Sequence, residues 1–98
     1  MAQIYVALDT ETTGINAERD VIIEIGAVRF REDGQVLDQW SSLINPGRPI
    51  PFSITQLTGI TSQMVAGAPA LSAVTGTLRR FVGDQSTIIV KNECRSDD

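Results

Sequence analysis

Val6-Ala7-Leu8-Asp9-Thr10-Glu11-Thr12-Thr13-Gly14 is an apolar run that delivers two acids and then stops in a glycine turn. Side chains on a strand alternate between faces, so Asp9 and Glu11 project to the same side. Paired carboxylates of this kind share hard divalent cations. Their oxygens suit Mg²⁺ or Mn²⁺, which keep several waters and complete their shells with substrate phosphates. The stretch therefore points to phosphodiester chemistry. Its bland alternative is a strand end whose acids cap the following turn.

Working outward, Gln3 to Leu8 mixes apolar and aromatic residues and reads as a first, largely buried strand. Asp20 to Arg31 begins with an apolar run and then alternates Val28 and Phe30 with Arg29 and Arg31, as a second strand does. Glu32-Asp33-Gly34-Gln35 is a hairpin turn signalled by Asp-Gly, and Val36 to Ile44 is the third strand. Pro46, Pro49 and Pro51 keep the next connection extended and outside a sheet. Ile54, Leu57 and Ile60 then fall at helical spacing with Gly59 as a stop, and Thr61 caps a second short turn through Met64 and Val65. Ala70 to Val82 carries Leu71, Val74, Leu78, Phe81 and Val82 at helical spacing, with Arg79 and Arg80 near its end and Gly83 beyond. Thr87 to Val90 reads as a short fourth strand.

The layout is α/β with a mixed sheet: three antiparallel strands, a helix, and a further strand joining beside the first. Residues 1–90 form the body and residues 91–98 a polar tail. Such a sheet carries helices on one face only, so the fold is expected to be truncated after the fourth strand. Exposed apolar surface and a free strand edge then favour a homodimer or a swapped dimer.

At 98 residues the chain is one domain at most. A hydrophobic fraction of 42% and a charged fraction of 20% fit a folded globular protein. No segment is apolar and long enough to span a bilayer and no leader pattern opens the chain, so a cytoplasmic address without a membrane partner is expected. Cys94 is the single cysteine, which leaves no internal disulfide, and it has no zinc-binding neighbour. The net charge of −4 argues against gripping nucleic acid by broad phosphate neutralisation, although metal-dependent binding survives. With no histidine in the chain, imidazole is not available as base, nucleophile or ligand.

Three pieces in order carry a family resemblance over roughly residues 4–90. They are Leu8-Asp9-Thr10-Glu11-Thr12-Thr13-Gly14, Ile22-Ile23-Glu24-Ile25-Gly26-Ala27-Val28, and Asn45-Pro46 followed by Leu57-Thr58-Gly59-Ile60-Thr61. The combination resembles the DnaQ-like (DEDD) 3′–5′ exonucleases of the ribonuclease H-like superfamily, typified by the epsilon proofreading subunit of bacterial DNA polymerase III. The resemblance implies a ribonuclease H-like fold and removal of nucleotides from 3′ ends by a two-metal site holding Mg²⁺ or Mn²⁺. It makes Asp9 the ligand bridging both metals and Glu11 the support of one. Thr12, Thr13, Gly14 and Ile15 would lie beneath the terminal nucleotide. The partners it implies are the 3′ end of single-stranded DNA, with RNA as the alternative, and a polymerase or helicase module.

The same comparison marks departures. After Val90 the chain reads Lys91-Asn92-Glu93-Cys94-Arg95-Ser96-Asp97-Asp98, which lacks the family's usual Gly-His-Asn. Asp97 falls at the spacing of a third metal ligand, and the family's third motif with its His or Tyr is not found. The alternative is thus a catalytically incomplete fragment, or a module that binds metal or nucleic acid. Glu24, set in an apolar run, reads as a structural hydrogen-bonding acid, and Arg79 and Arg80 read as helix-end charges.

Overall fold

Pairing of β-branched stretches builds the sheet in the computed structural model, which describes residues 3–14, 16, 18–84 and 86–93. The strands are β1 (Ile4–Thr12), β2 (Ile22–Arg31), β3 (Val36–Leu43) and β4 (Thr87–Glu93). Between β3 and β4 run α1 (Phe52–Thr58), α2 (Ser62–Ala66) and α3 (Leu71–Val82). The strand order is β3-β2-β1-β4. The β1–β2 and β2–β3 pairs are antiparallel, and β4 lies parallel to β1. A parallel return requires a crossover, and the helical segment supplies it.

Local chemistry sets the helix boundaries. α1 stops at Gly59, whose φ of 79° is comfortable for glycine alone. α2 starts at Thr61, whose hydroxyl accepts the Met64 amide hydrogen at 3.1 Å. Two clusters fasten helices to the sheet. Ile23 packs with Ile50, Ile60 and Val65. Ile25 packs with Ile44 and Val74, joined by the partly buried Trp40 and Leu78. Arg29 of β2 also lies over the ring of Phe81 in α3, 4.6 Å from its centre.

Several boundaries differ from the sequence reading. β1 runs past Leu8 to Thr12, because Asp9 and Glu11 stay in the ladder opposite Gly26 and Glu24. The strand is not largely buried: Val6 is its one buried residue, and Asp9 is exposed. In α3 the apolar stripe is covered thinly, with Val74 buried, Leu78 half-buried and Leu71 exposed. β4 continues beyond Val90 to Glu93, since its pairing with β1 extends through Asp9–Lys91 to Glu11–Glu93. The expected division at residue 90 therefore falls inside a strand.

Candidate functional site

Cross-strand register assembles the acids. Asp9 and Glu11 are two apart on β1 and share a face; Glu24 stands directly opposite Glu11, and Gly26 directly opposite Asp9. The absence of a side chain at Gly26 leaves the sheet open beside Asp9. Asp9, Glu11, Glu24 and Gly26, with Thr10, line a concave pocket of about 180 Å³. Asp9 is exposed, whereas Glu11 and Glu24 are half-buried. Next to them the register slips between Glu11 and Thr12, so that β2 carries an extra residue at Ile23. This bulge bends the strand beside the acids. The described residues contain no group of three or more His, Cys, Asp or Glu close enough to hold a metal ion together.

A tight turn follows. The Thr12 hydroxyl donates to the Gly14 carbonyl at 2.7 Å. Thr13 is held twice by Val21: its amide donates to the Val21 carbonyl at 3.0 Å, and its hydroxyl accepts the Val21 amide hydrogen at 3.0 Å. That hydroxyl also donates to Asp20 at 3.1 Å. Asp20 in turn accepts the Asn16 amide hydrogen at 2.9 Å and pairs with Arg19 at 3.5 Å. The Asn16 amide is the main cause holding the Asp20 carboxyl below its ordinary value, helped by Thr13 and Arg19 and opposed by partial desolvation.

The same carboxylate explains Gly14. A Cβ at position 14 would sit 2.8 Å from Asp20 Cγ, so glycine is required here by packing inside the turn. Thr12, Thr13 and Gly14 are thus brought next to the acids, and the threonines carry turn-forming bonds. Ile15 and Asp97 lie outside the described residues.

Two residues of this neighbourhood stand in places that the sequence alone does not give. Glu24 was legible as an acid in an apolar run, but its place opposite Glu11 depends on register. Asp20 opens the second strand in the sequence pattern, but β2 starts at Ile22 and Asp20 is the hub of the turn. The Gly14 signal pointed toward it, since a glycine next to a turn marks a close approach of something.

Comparison with known proteins gives this arrangement a lineage. The family model Exonuclease (RNase_T) matches residues 6–97. DNA polymerase III PolC-type of Clostridium perfringens is 43% identical over 88 residues, which are 90% of this chain and 6% of that protein. DNA polymerase III subunit epsilon of Treponema pallidum is 38% identical over 93 residues, 95% of this chain and 42% of that protein. The chain thus spans a small part of the PolC-type relatives and about two fifths of the epsilon relatives it matches. Among solved structures, Exonuclease X in complex with 5′ overhanging duplex DNA superposes with a TM-score of 0.64 at 32% identity, covering 76% of this chain and 42% of that one. Exonuclease I bound to an inhibitor gives a TM-score of 0.77 at 18% identity over 92% of this chain and 21% of that one, a likeness of fold. No helix among the described residues is long and apolar enough to cross a membrane. On the match of residues 6–97 and the sheet that carries its acids, this chain belongs to the exonuclease family, as a homologue of the DNA polymerase III epsilon and PolC-type proteins.

Proposed function

We propose that this chain carries the first acidic motif of a metal-dependent 3′–5′ exonuclease, hydrolysing phosphodiester bonds at the 3′ end of a DNA strand. One observation carries the reading: Asp9 and Glu11 share a sheet face, with Glu24 of β2 opposite Glu11 and Gly26 of β2, which has no side chain, opposite Asp9. The donors are carboxylate oxygens without thiolate or imidazole, which suits Mg²⁺ or Mn²⁺ and disfavours zinc. Asp9 and Glu11 would hold the ions, with Asp97 as a further ligand by spacing. Two such ions, when bound, supply Lewis-acid polarisation of the phosphate and neutralise developing charge.

The chain's own residues have separate tasks. Asp9 presents its carboxylate to solvent, where a phosphate arrives. Glu11 is more enclosed and fixes the inner side of the pocket. Thr12, Thr13, Gly14 and Ile15 would lie beneath the terminal nucleotide, and the bonds of Thr13 to Val21 and Asp20 hold the turn. Residues 1–90 make the body of this domain, with β4 carrying it on to Glu93. The DNA bound by Exonuclease X and the polymerase context of the relatives support a DNA end as substrate and a polymerase as partner. On this reading the chain works in the cytoplasm.

A second reading is favoured by the donor count. The described residues hold no cluster of three ligand-type side chains, and the chain has no histidine. In that case the chain binds a cation and a nucleic-acid end without turning it over.

Release of nucleotide from a 3′-labelled single strand in Mn²⁺ tests both, with RNA as a second arm. Asp9→Ala is expected to lower release by about 100-fold or more, the scale on which one missing charge-stabilising group acts. Equal release by that variant overturns the assignment. No release, with Mn²⁺ still titrating Asp9 and Glu11 in a spin-resonance assay, selects the second reading.

A further inference from the structure

Eight cationic residues are set against twelve acids in this chain, so a place where two arginines converge is notable. Arg19 and Arg48 line one cleft of about 250 Å³ with Thr13, Asp20, Pro49 and Pro51. The Arg48 guanidinium donates to the Arg19 backbone carbonyl at 2.8 Å, which ties the loop after β3 to the turn after β1 across 29 residues. Arg19 keeps 74% of its side chain exposed, and Arg48 is exposed as well. The one acid in the cleft, Asp20, is engaged by Asn16, Thr13 and Arg19. Two guanidinium groups against one carboxylate leave the cleft net positive, in a molecule of net charge −4. Pro49 and Pro51 stiffen its far wall. Thr13 places the cleft two residues beyond Glu11, roughly 7 Å along an extended chain.

We propose that the Arg19–Arg48 cleft is a phosphate subsite, binding the phosphodiester backbone of the strand whose end lies at Asp9 and Glu11. It rests on the exonuclease reading and adds the contact that an acidic site lacks. Acids at the reactive end repel phosphate until cations arrive; a neighbouring pair of guanidinium forks holds the rest of the strand in the meantime. Phosphate contacts position a strand without reading its sequence, so the subsite serves DNA and RNA backbones alike.

The experiment is fluorescence anisotropy of a 5′-labelled oligo-dT, with oligo-U as a parallel probe, titrated across a range of salt in EDTA and again in Mn²⁺. Arg48→Gln and Arg19→Gln are each expected to weaken binding several-fold at low salt. Each is expected to flatten the slope of log affinity against log salt by about 0.7, the single-strand value per phosphate contact, with the double variant losing about twice that. Arg48→Lys is expected to restore the slope, because it keeps the charge. A role confined to the bond between Arg48 and the Arg19 carbonyl would lower stability without changing the number of phosphates contacted, and so would leave the slope unmoved. An unchanged slope in the double variant overturns the subsite, whether or not Asp9→Ala removes a Mn²⁺-dependent part of the binding. Arginine-dependent binding that ignores both Mn²⁺ and Asp9 supports the subsite and overturns the carboxylate reading instead. Equal slopes for oligo-dT and oligo-U support a backbone contact, and loss confined to one of them overturns it.

Discussion

Gly14 and Asp20 are tightly coupled at the residue scale. A methyl group at position 14 would overlap the Asp20 carboxylate, which is pinned by the Asn16 amide and the Thr13 hydroxyl. Gly14→Ala is therefore expected to cost about 1 kcal/mol or more, as overpacking does. In an Asp20→Ala background the same change should cost close to nothing, and a double-mutant cycle by denaturant unfolding measures the difference. The carboxylate also makes the turn sensitive to acid. Its native pKa lies below the ordinary aspartate value of about 3.9, so its stabilising effect is complete above that value. The effect is lost as pH falls through the native pKa, in a window below about pH 4. An NMR titration of the Asn16 and Val21 amides is expected to show the turn loosening in that window, and Asp20→Asn is expected to abolish the transition.

Helices and strands in this fold obey different kinds of instruction. α2 is five residues long and holds Val65 in the core, so its cap matters. Thr61→Ala removes the acceptor for the Met64 amide and is expected to cost about 1 kcal/mol, read as a drop in the unfolding midpoint. Such signals are local, which is why Asp33-Gly34, Gly59, Thr61 and Gly83 placed their turns and stops correctly from sequence. Strand ends are not local. Whether β1 stops at Leu8 or runs to Thr12 depends on Gly26 and Glu24 of β2, and the end of β4 depends on β1. The site divides the same way. Asp9 and Glu11 were legible because alternation puts them together within one strand. The places of Glu24 and Asp20 were not, because one is set by a register that slips at Ile23 and the other by closure of a loop.

At the scale of the molecule, the described sheet ends in an edge strand rich in exposed apolar side chains. Ile88, Ile89 and Val90 of β4 are 49%, 47% and 68% exposed. An apolar edge offers both backbone hydrogen-bonding groups and side-chain area to another strand. Light scattering is expected to show association that grows with concentration, and Val90→Lys is expected to shift the balance toward monomer. A monomer at all concentrations overturns this expectation. The interior of the sheet behaves differently at Gly26. A Cβ there would come no closer than 4.0 Å to the Asp9 carbonyl oxygen, and an alanine in a strand restricts the unfolded chain more than glycine does. A library sorted for folding alone would accept alanine at position 26 and even enrich it. The same library sorted for cation capture would purge every larger side chain, because each would stand beside Asp9. The disagreement between those two sortings reports how much of this sheet is kept for chemistry at the expense of durability.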